Sequence, residues 1–153
     1  MSDLETVQFK LKLSTDWFRL PPHVKVFLDD VLIEDAEIFE KRSEDQIREI
    51  VFSADLADGD HELKIEYLGK ESPDTQVDET GNIIADHLVH INEIEIDEIE
   101  LGFLAWTSSC YYPDQQLHPQ APAEMPETVD LGYNGSWILK FQVPTYIWFL
   151  ENL

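Results

Sequence analysis

Asp74, Asp78, Asn82 and Asp86 crowd the stretch 74–86, which holds no Lys or Arg. Carboxylates and amides gathered this closely suit a hard cation. Calcium takes roughly six to eight oxygens, and the ion relieves the mutual repulsion of the groups that hold it. These four residues are the candidate metal ligands, and calcium is the cofactor they would take. The stretch is not an EF-hand, because a loop starting at Asp74 or Asp78 needs glycine at its sixth position and finds Glu79 or Ile83. The plainer reading of the same residues is a solvated acidic loop.

A second kind of chemistry is offered by rings. Trp106, Tyr111 and Tyr112 stand where a strand-like run gives way to a Pro-rich stretch. Flat side chains in such places stack on sugars or anchor partner proteins, so these three are the candidate ligand-binding residues. Tyr146, Trp148 and Phe149 belong to an apolar tail, which either folds into the core or docks in a neighbour, and they are the candidate partner-binding residues.

Catalytic signatures are sparse. No serine stands in a glycine-flanked elbow, no Gly-rich loop is present to cradle phosphate, and Cys110 is the single cysteine. His87 and His90 are three apart, which on a strand places them on opposite faces and makes them poor joint ligands. The chain therefore reads as non-enzymatic, with no catalytic residue assigned. With 32 Asp and Glu, some carboxylates will approach by chance, so a glycoside hydrolase remains an alternative, although nothing selects a pair.

The formal net charge is -22 over 153 residues, and not one Lys or Arg lies between Glu71 and Leu139. Such a surface repels phosphate backbones and anionic membranes, which leaves solubility, cation binding or a basic partner as its uses. No run of 18 apolar residues is present to span a bilayer. The opening Met1-Ser2-Asp3-Leu4-Glu5 carries no apolar leader. Synthesis in a reducing cytoplasm is the expectation.

The elements that must position these groups are strands. Val7, Phe9, Leu11 and Leu13 alternate with polar residues, as do Leu63, Ile65 and Tyr67. Val24 to Leu28 and Val31 to Glu34 flank Asp29-Asp30, which predicts a tight hairpin. Residues 36–49 fit either a helix or two strands, Ile38-Phe39 and Ile47 to Phe52; the flanking strands favour the second. Within Leu88 to Leu101 the apolar parity switches twice, which predicts a bulge near Asn92-Glu93 and a turn at Asp97-Glu98. Val26 to Ile33 echoes Ile94 to Leu101, two apolar runs broken by an acidic pair. Residues 69–86 read as a long acidic loop and 107–130 as a Pro-rich loop or arm. Ser136 to Val143 closes the pattern as a strand. Many short strands with frequent turns predict an all-β chain, 1–153 as one domain, folded as a β-sandwich or jelly roll with long loops and an apolar C-terminal segment.

Gly59-Asp60-His61-Glu62-Leu63-Lys64-Ile65-Glu66-Tyr67, then an acidic loop, then His87-Leu88-Val89 and Ile94-Glu95-Ile96-Asp97, resemble the calcium-dependent xylan-binding class of carbohydrate-binding modules. The resemblance implies a loop whose oxygens hold calcium that meets sugar hydroxyls, with Asp74, Asp78 and Asp86 as ligands. It departs from that pattern after the strand, where Gly69-Lys70 replace the family's Asn and Asp. Tyr111-Tyr112-Pro113-Asp114, Gly132-Tyr133-Asn134-Gly135-Ser136-Trp137 and the tail from Pro144 to Asn152 resemble small virion-associated proteins of marine tailed bacteriophages. That resemblance implies a structural or adhesive tail, fibre or capsid accessory. Its partners would be other virion proteins, further copies of itself and a cell-surface glycan, with no nucleic acid or membrane. A purely structural subunit docking on a basic partner is the other reading.

Overall fold

The computed structural model describes residues 4–42, 46–71 and 74–152. Residues 43–45 of the ambiguous 36–49 segment, Pro73 of the acidic loop and the opening Met1, Ser2 and Asp3 lie outside the described residues.

In chain order the elements are β1 (Leu4–Asp16), β2 (His23–Leu28), β3 (Val31–Glu37), β4 (Arg48–Ala57), β5 (Gly59–Leu68), β6 (Gln76–Val77) and β7 (Ile83–Ala85). They continue with β8 (Leu88–Ile96), β9 (Ile99–Glu100), α1 (Phe103–Thr107), β10 (Ser109–Pro113), β11 (Met125–Pro126), β12 (Asp130–Leu131), β13 (Gly135–Val143) and α2 (Thr145–Asn152). One sheet has the order β12-β8-β1-β4, with β9 pairing β8; the other has the order β11-β10-β13-β5-β2-β3. All these strand pairs are antiparallel. Among the described residues, β4 and β3 each leave one edge of a sheet open. The chain is all-β, as its alternation predicts, and among the described residues no helix is long and apolar enough to cross a membrane.

Alternation along β1 sends Val7, Phe9, Leu11 and Leu13 inward, all essentially without solvent contact. They meet Leu63, Ile65 and Tyr67 of β5 and Trp137, Leu139 and Phe141 of β13 in one core. Phe9 of one sheet lies edge-on to Phe141 of the other, with centroids 5.7 Å apart, so the two layers touch through aromatic contact. Each large apolar side chain removed from water this way stabilises the fold by about 1.5–3 kcal/mol before entropy is counted.

The parity switch in β8 is a bulge. Lys12 faces Glu93 and Leu13 faces Ile91, so Asn92 has no partner across the ladder, and its side chain accepts from the Ser14 hydroxyl at 2.8 Å. The extra residue lets Val89 and Ile91 on one side, and Ile94 and Ile96 on the other, all point inward. Both acidic pairs turn hairpins with φ above zero at both central residues, Asp29 (48°) with Asp30 (66°) and Asp97 (52°) with Glu98 (65°). Aspartate tolerates that region, and such turns match the twist of paired strands.

Two local expectations are corrected. Ile38 and Phe39 form no strand; β3 ends at Glu37, and Ile38 is held by its N–H to Pro22 O at 2.8 Å. The 107–130 stretch is no free arm: β10 lies inside the second sheet, between β11 and β13. The apolar tail takes the first of its two expected fates: it forms the helix α2, packed on β13.

Candidate functional site

The acidic loop is a small hairpin, β6 with β7, whose carboxylates bind their own chain. Asp78 Oδ1 accepts from Thr80 Oγ1 at 2.7 Å, Thr80 N at 2.9 Å and Asn82 N at 3.0 Å, which closes the turn. These hydrogen bonds, led by the Thr80 hydroxyl, hold the Asp78 carboxyl below its ordinary range. The Asn82 amide itself donates to Thr80 Oγ1. Asp74 is buried, its oxygens taken by Arg19 Nε at 3.0 Å and Glu71 N at 2.7 Å. Burial works against its charge, yet those donors prevail and its carboxyl also titrates low. Asp86 Oδ1 accepts from Lys70 Nζ at 2.8 Å, Thr75 Oγ1 at 2.6 Å and His87 N at 2.8 Å.

Asp74, Asp78, Asn82 and Asp86 are therefore close in sequence but do not converge on one point. Among the described residues no group of three or more His, Cys, Asp or Glu is arranged to hold a metal. A hard cation wants roughly six to eight oxygens free to turn toward it. This donor set, already engaged by guanidinium, ammonium and N–H groups, does not fit one.

The ring residues divide. Tyr111 is fully buried and its hydroxyl donates to the Tyr133 carbonyl; burial drives its phenol well above its ordinary titration range. It is a core residue, and the expectation that it meets a ligand fails because alternation along β10 turns it inward. Tyr112 is half-buried on the opposite face of β10. Trp106 is exposed and lies 5.2 Å from the ring of Phe103, which is 73% exposed. The two rings, inclined at 48° to each other, form an aromatic shelf along the wall of a depression of about 390 Å³, lined also by Asn92, Glu93, Glu100 and Val129.

Local folding sets that shelf. Leu101 N donates to Ile94 O at 2.9 Å, Gly102 takes φ 53° at the start of α1, and buried Leu104 and Ala105 pin the helix down. Phe103 and Trp106, three apart on the single turn, then share a side. Sequence reading missed Phe103; the Phe-x-x-Trp spacing signals it only once the turn is known to be helical. The bulge residue Asn92 and the Lys12-paired Glu93, at 2.8 Å, supply polar groups along its rim.

In the tail, Trp148 and Phe149 are buried against their own chain, Trp148 edge-on to Phe141 at 6.3 Å, so they are not available to a partner. Tyr146 remains outward, together with Ile147 and Leu150.

Between α2 and the turns at Asp29-Asp30 and Asp58–Asp60 lies a wider cleft of about 840 Å³. His61 forms part of its wall. Its Nδ1 meets Asp29 Oδ2 at 2.5 Å, its Nε2 meets Ala57 O at 2.7 Å, and its ring stacks on Phe141. Burial disfavours the imidazolium, but Asp29 and the Ala57 carbonyl more than offset this, and the net shift is upward. A raised folded value contributes stability below the unfolded value of about 6.5 and loses it as pH rises through the folded one. The thermal advantage of wild type over His61→Leu should thus be larger near about pH 6 than near about pH 9. An advantage equal at both would show that the ring acts only by packing.

The two facing sheets make this an antiparallel β-sandwich, similar in fold to a carbohydrate-binding module. A solved structure with that fold is vCBM60 in complex with galactobiose. It superposes with a TM-score of 0.51 over 88% of this chain and 97% of the other, at 9% identity. No protein-family profile matches the sequence, and no curated protein does.

Proposed function

We propose that this chain is a non-catalytic glycan-binding module carried as an accessory of a phage particle, with Trp106 and Phe103 as the surface that meets the sugar. The observation that carries the reading is the pairing of a carbohydrate-binding-module fold with an exposed aromatic shelf. Its neighbour of like fold was solved with galactobiose bound. Flat rings stack on the apolar face of a pyranose, while amides and carboxylates such as Asn92, Glu93 and Glu100 hydrogen-bond its hydroxyls. The virion assignment is supported by the residues of 111–114, 132–137 and the tail. Assembly from several copies draws support from Tyr146, Ile147 and Leu150, which α2 holds outward.

A glycan array probed with the full chain tests this, followed by calorimetry on the hits. Trp106→Ala should weaken any hit by about tenfold or more while leaving the melting temperature within about 2 °C of wild type. Hits that survive both Trp106→Ala and Phe103→Ala would place the sugar elsewhere. An array without hits, beside a self-assembly that Leu150→Glu disperses, would favour the purely structural subunit. Release of reducing sugar from a polysaccharide would make the chain a hydrolase.

A further inference from the structure

We infer that the Lys70 ammonium does in this domain what a divalent cation does in metal-organised loops: it closes the 69–86 loop onto the sandwich, and the loop needs no metal.

Lys70 directly follows β5 and Gly69, and its side chain is only 10% exposed. Its Nζ donates to Asp86 Oδ1 at 2.8 Å and to the Gly132 carbonyl at 2.7 Å. Those two oxygens come from segments far apart in sequence, one just before β8 and one between β12 and β13. A carboxylate and a main-chain carbonyl drawn from separate segments are the kind of donors a hard cation gathers. Here a covalently attached positive charge gathers them.

The lysine is itself fixed. Asn134, buried in the turn before β13, accepts from Lys70 N at 2.9 Å and donates through Nδ2 to Lys70 O at 2.9 Å. One amide thus holds the Lys70 main chain at both ends and aims the side chain. On the other flank Arg19 does the same for Asp74 and Glu71, through Nε at 3.0 Å and a terminal nitrogen at 3.4 Å. The stretch from Glu71 to Leu139 has no Lys or Arg of its own, so the charge that balances Asp74 and Asp86 arrives from outside it.

Charge balance argues against a second cation at this point. Asp86, half-buried, already accepts three hydrogen bonds on one oxygen, and burial disfavours its charge while Lys70, Thr75 and His87 N–H hold its carboxyl low. A divalent ion sharing that oxygen would sit against the ammonium and be repelled by it. Lys70→Met removes the charge but keeps most of the stem, and leaves the Asp86 charge without its partner, which is the costly way to break such a pair.

The inference does not depend on glycan binding, and thermal unfolding of the full chain tests it. Wild type should melt within about 1 °C of itself in metal-free buffer, in EDTA and in millimolar calcium, whereas Lys70→Met should melt about 5 °C or more lower. The double variant Lys70→Met with Asp86→Leu should recover part of that loss, because the two residues interact directly. A wild-type melting temperature that falls with EDTA and returns with calcium would overturn the inference. So would Lys70→Met melting like wild type. If Lys70→Met does not fold, the wild-type chelator comparison and the double variant still decide it.

Discussion

Trp137→Ala should lower the unfolding free energy by about 3–5 kcal/mol. Trp137 lies mid-strand in β13, the strand flanked by β10 and β5, and has no solvent contact. Its ring is among the largest fully buried side chains, and its Nε1 donates to Thr128 O at 3.0 Å. Truncation opens a cavity that a close-packed layer fills only in part, and leaves the Thr128 carbonyl without its donor. At about 2–4 °C per kcal/mol for a chain of this size, the melting temperature should drop by about 6–20 °C. Urea titration followed by far-ultraviolet dichroism measures it. A loss under about 1 kcal/mol would mean that this ring does not sit between the sheets.

Gly135→Ala should cost about 3 kcal/mol for a different reason. A Cβ at Gly135 would stand 2.4 Å from Tyr112 O and 2.8 Å from Pro113 Cα. Both are backbone atoms that no rotamer change can move aside, so β10 must separate from β13 at Pro113. Gly132→Ala is the control, since its Cβ would meet only a Leu88 methyl at 3.4 Å. Hydrogen exchange should show the β10 amides losing protection in Gly135→Ala and keeping it in Gly132→Ala. Equal protection in the two would show that the strands can yield at this point.

What sequence reading reached, and what it missed, follow from how local each signal is. Alternation in Val7 to Leu13, the parity switch at Asn92 and the two acidic pairs are set by neighbours a few residues away, and the strands, bulge and turns obey them. Part of the fate of the acidic loop was hidden because Arg19, the partner of Asp74, lies 55 residues from it. Local crowding of carboxylates suggested a cation, and the chain supplies two of its own, Lys70 at the start of the loop and Arg19 from far before it. Tyr111 looked like a surface residue because prolines follow it; pairing of β10 with β13 turned it inward. The tail offered two fates, and the helix takes the first for Trp148 and Phe149, which it buries, while Tyr146 stays outward. Trp106 was legible as a candidate ring beside Tyr111 and Tyr112, but its spatial companion Phe103 needed the tertiary frame.

The open margins at β3 and β4 carry a consequence for how the molecule behaves in bulk. An unpaired strand invites a second chain to zip onto it, and exposed Val31, Leu32 and Val51 make these margins sticky. Glu34, Asp35 and Glu37 on one, and Glu49 and Asp55 on the other, meet an approaching copy with like charge. Colloidal stability therefore depends on like charge along the margins, and salt that screens it should bring on ordered clumping while the sandwich itself is still intact.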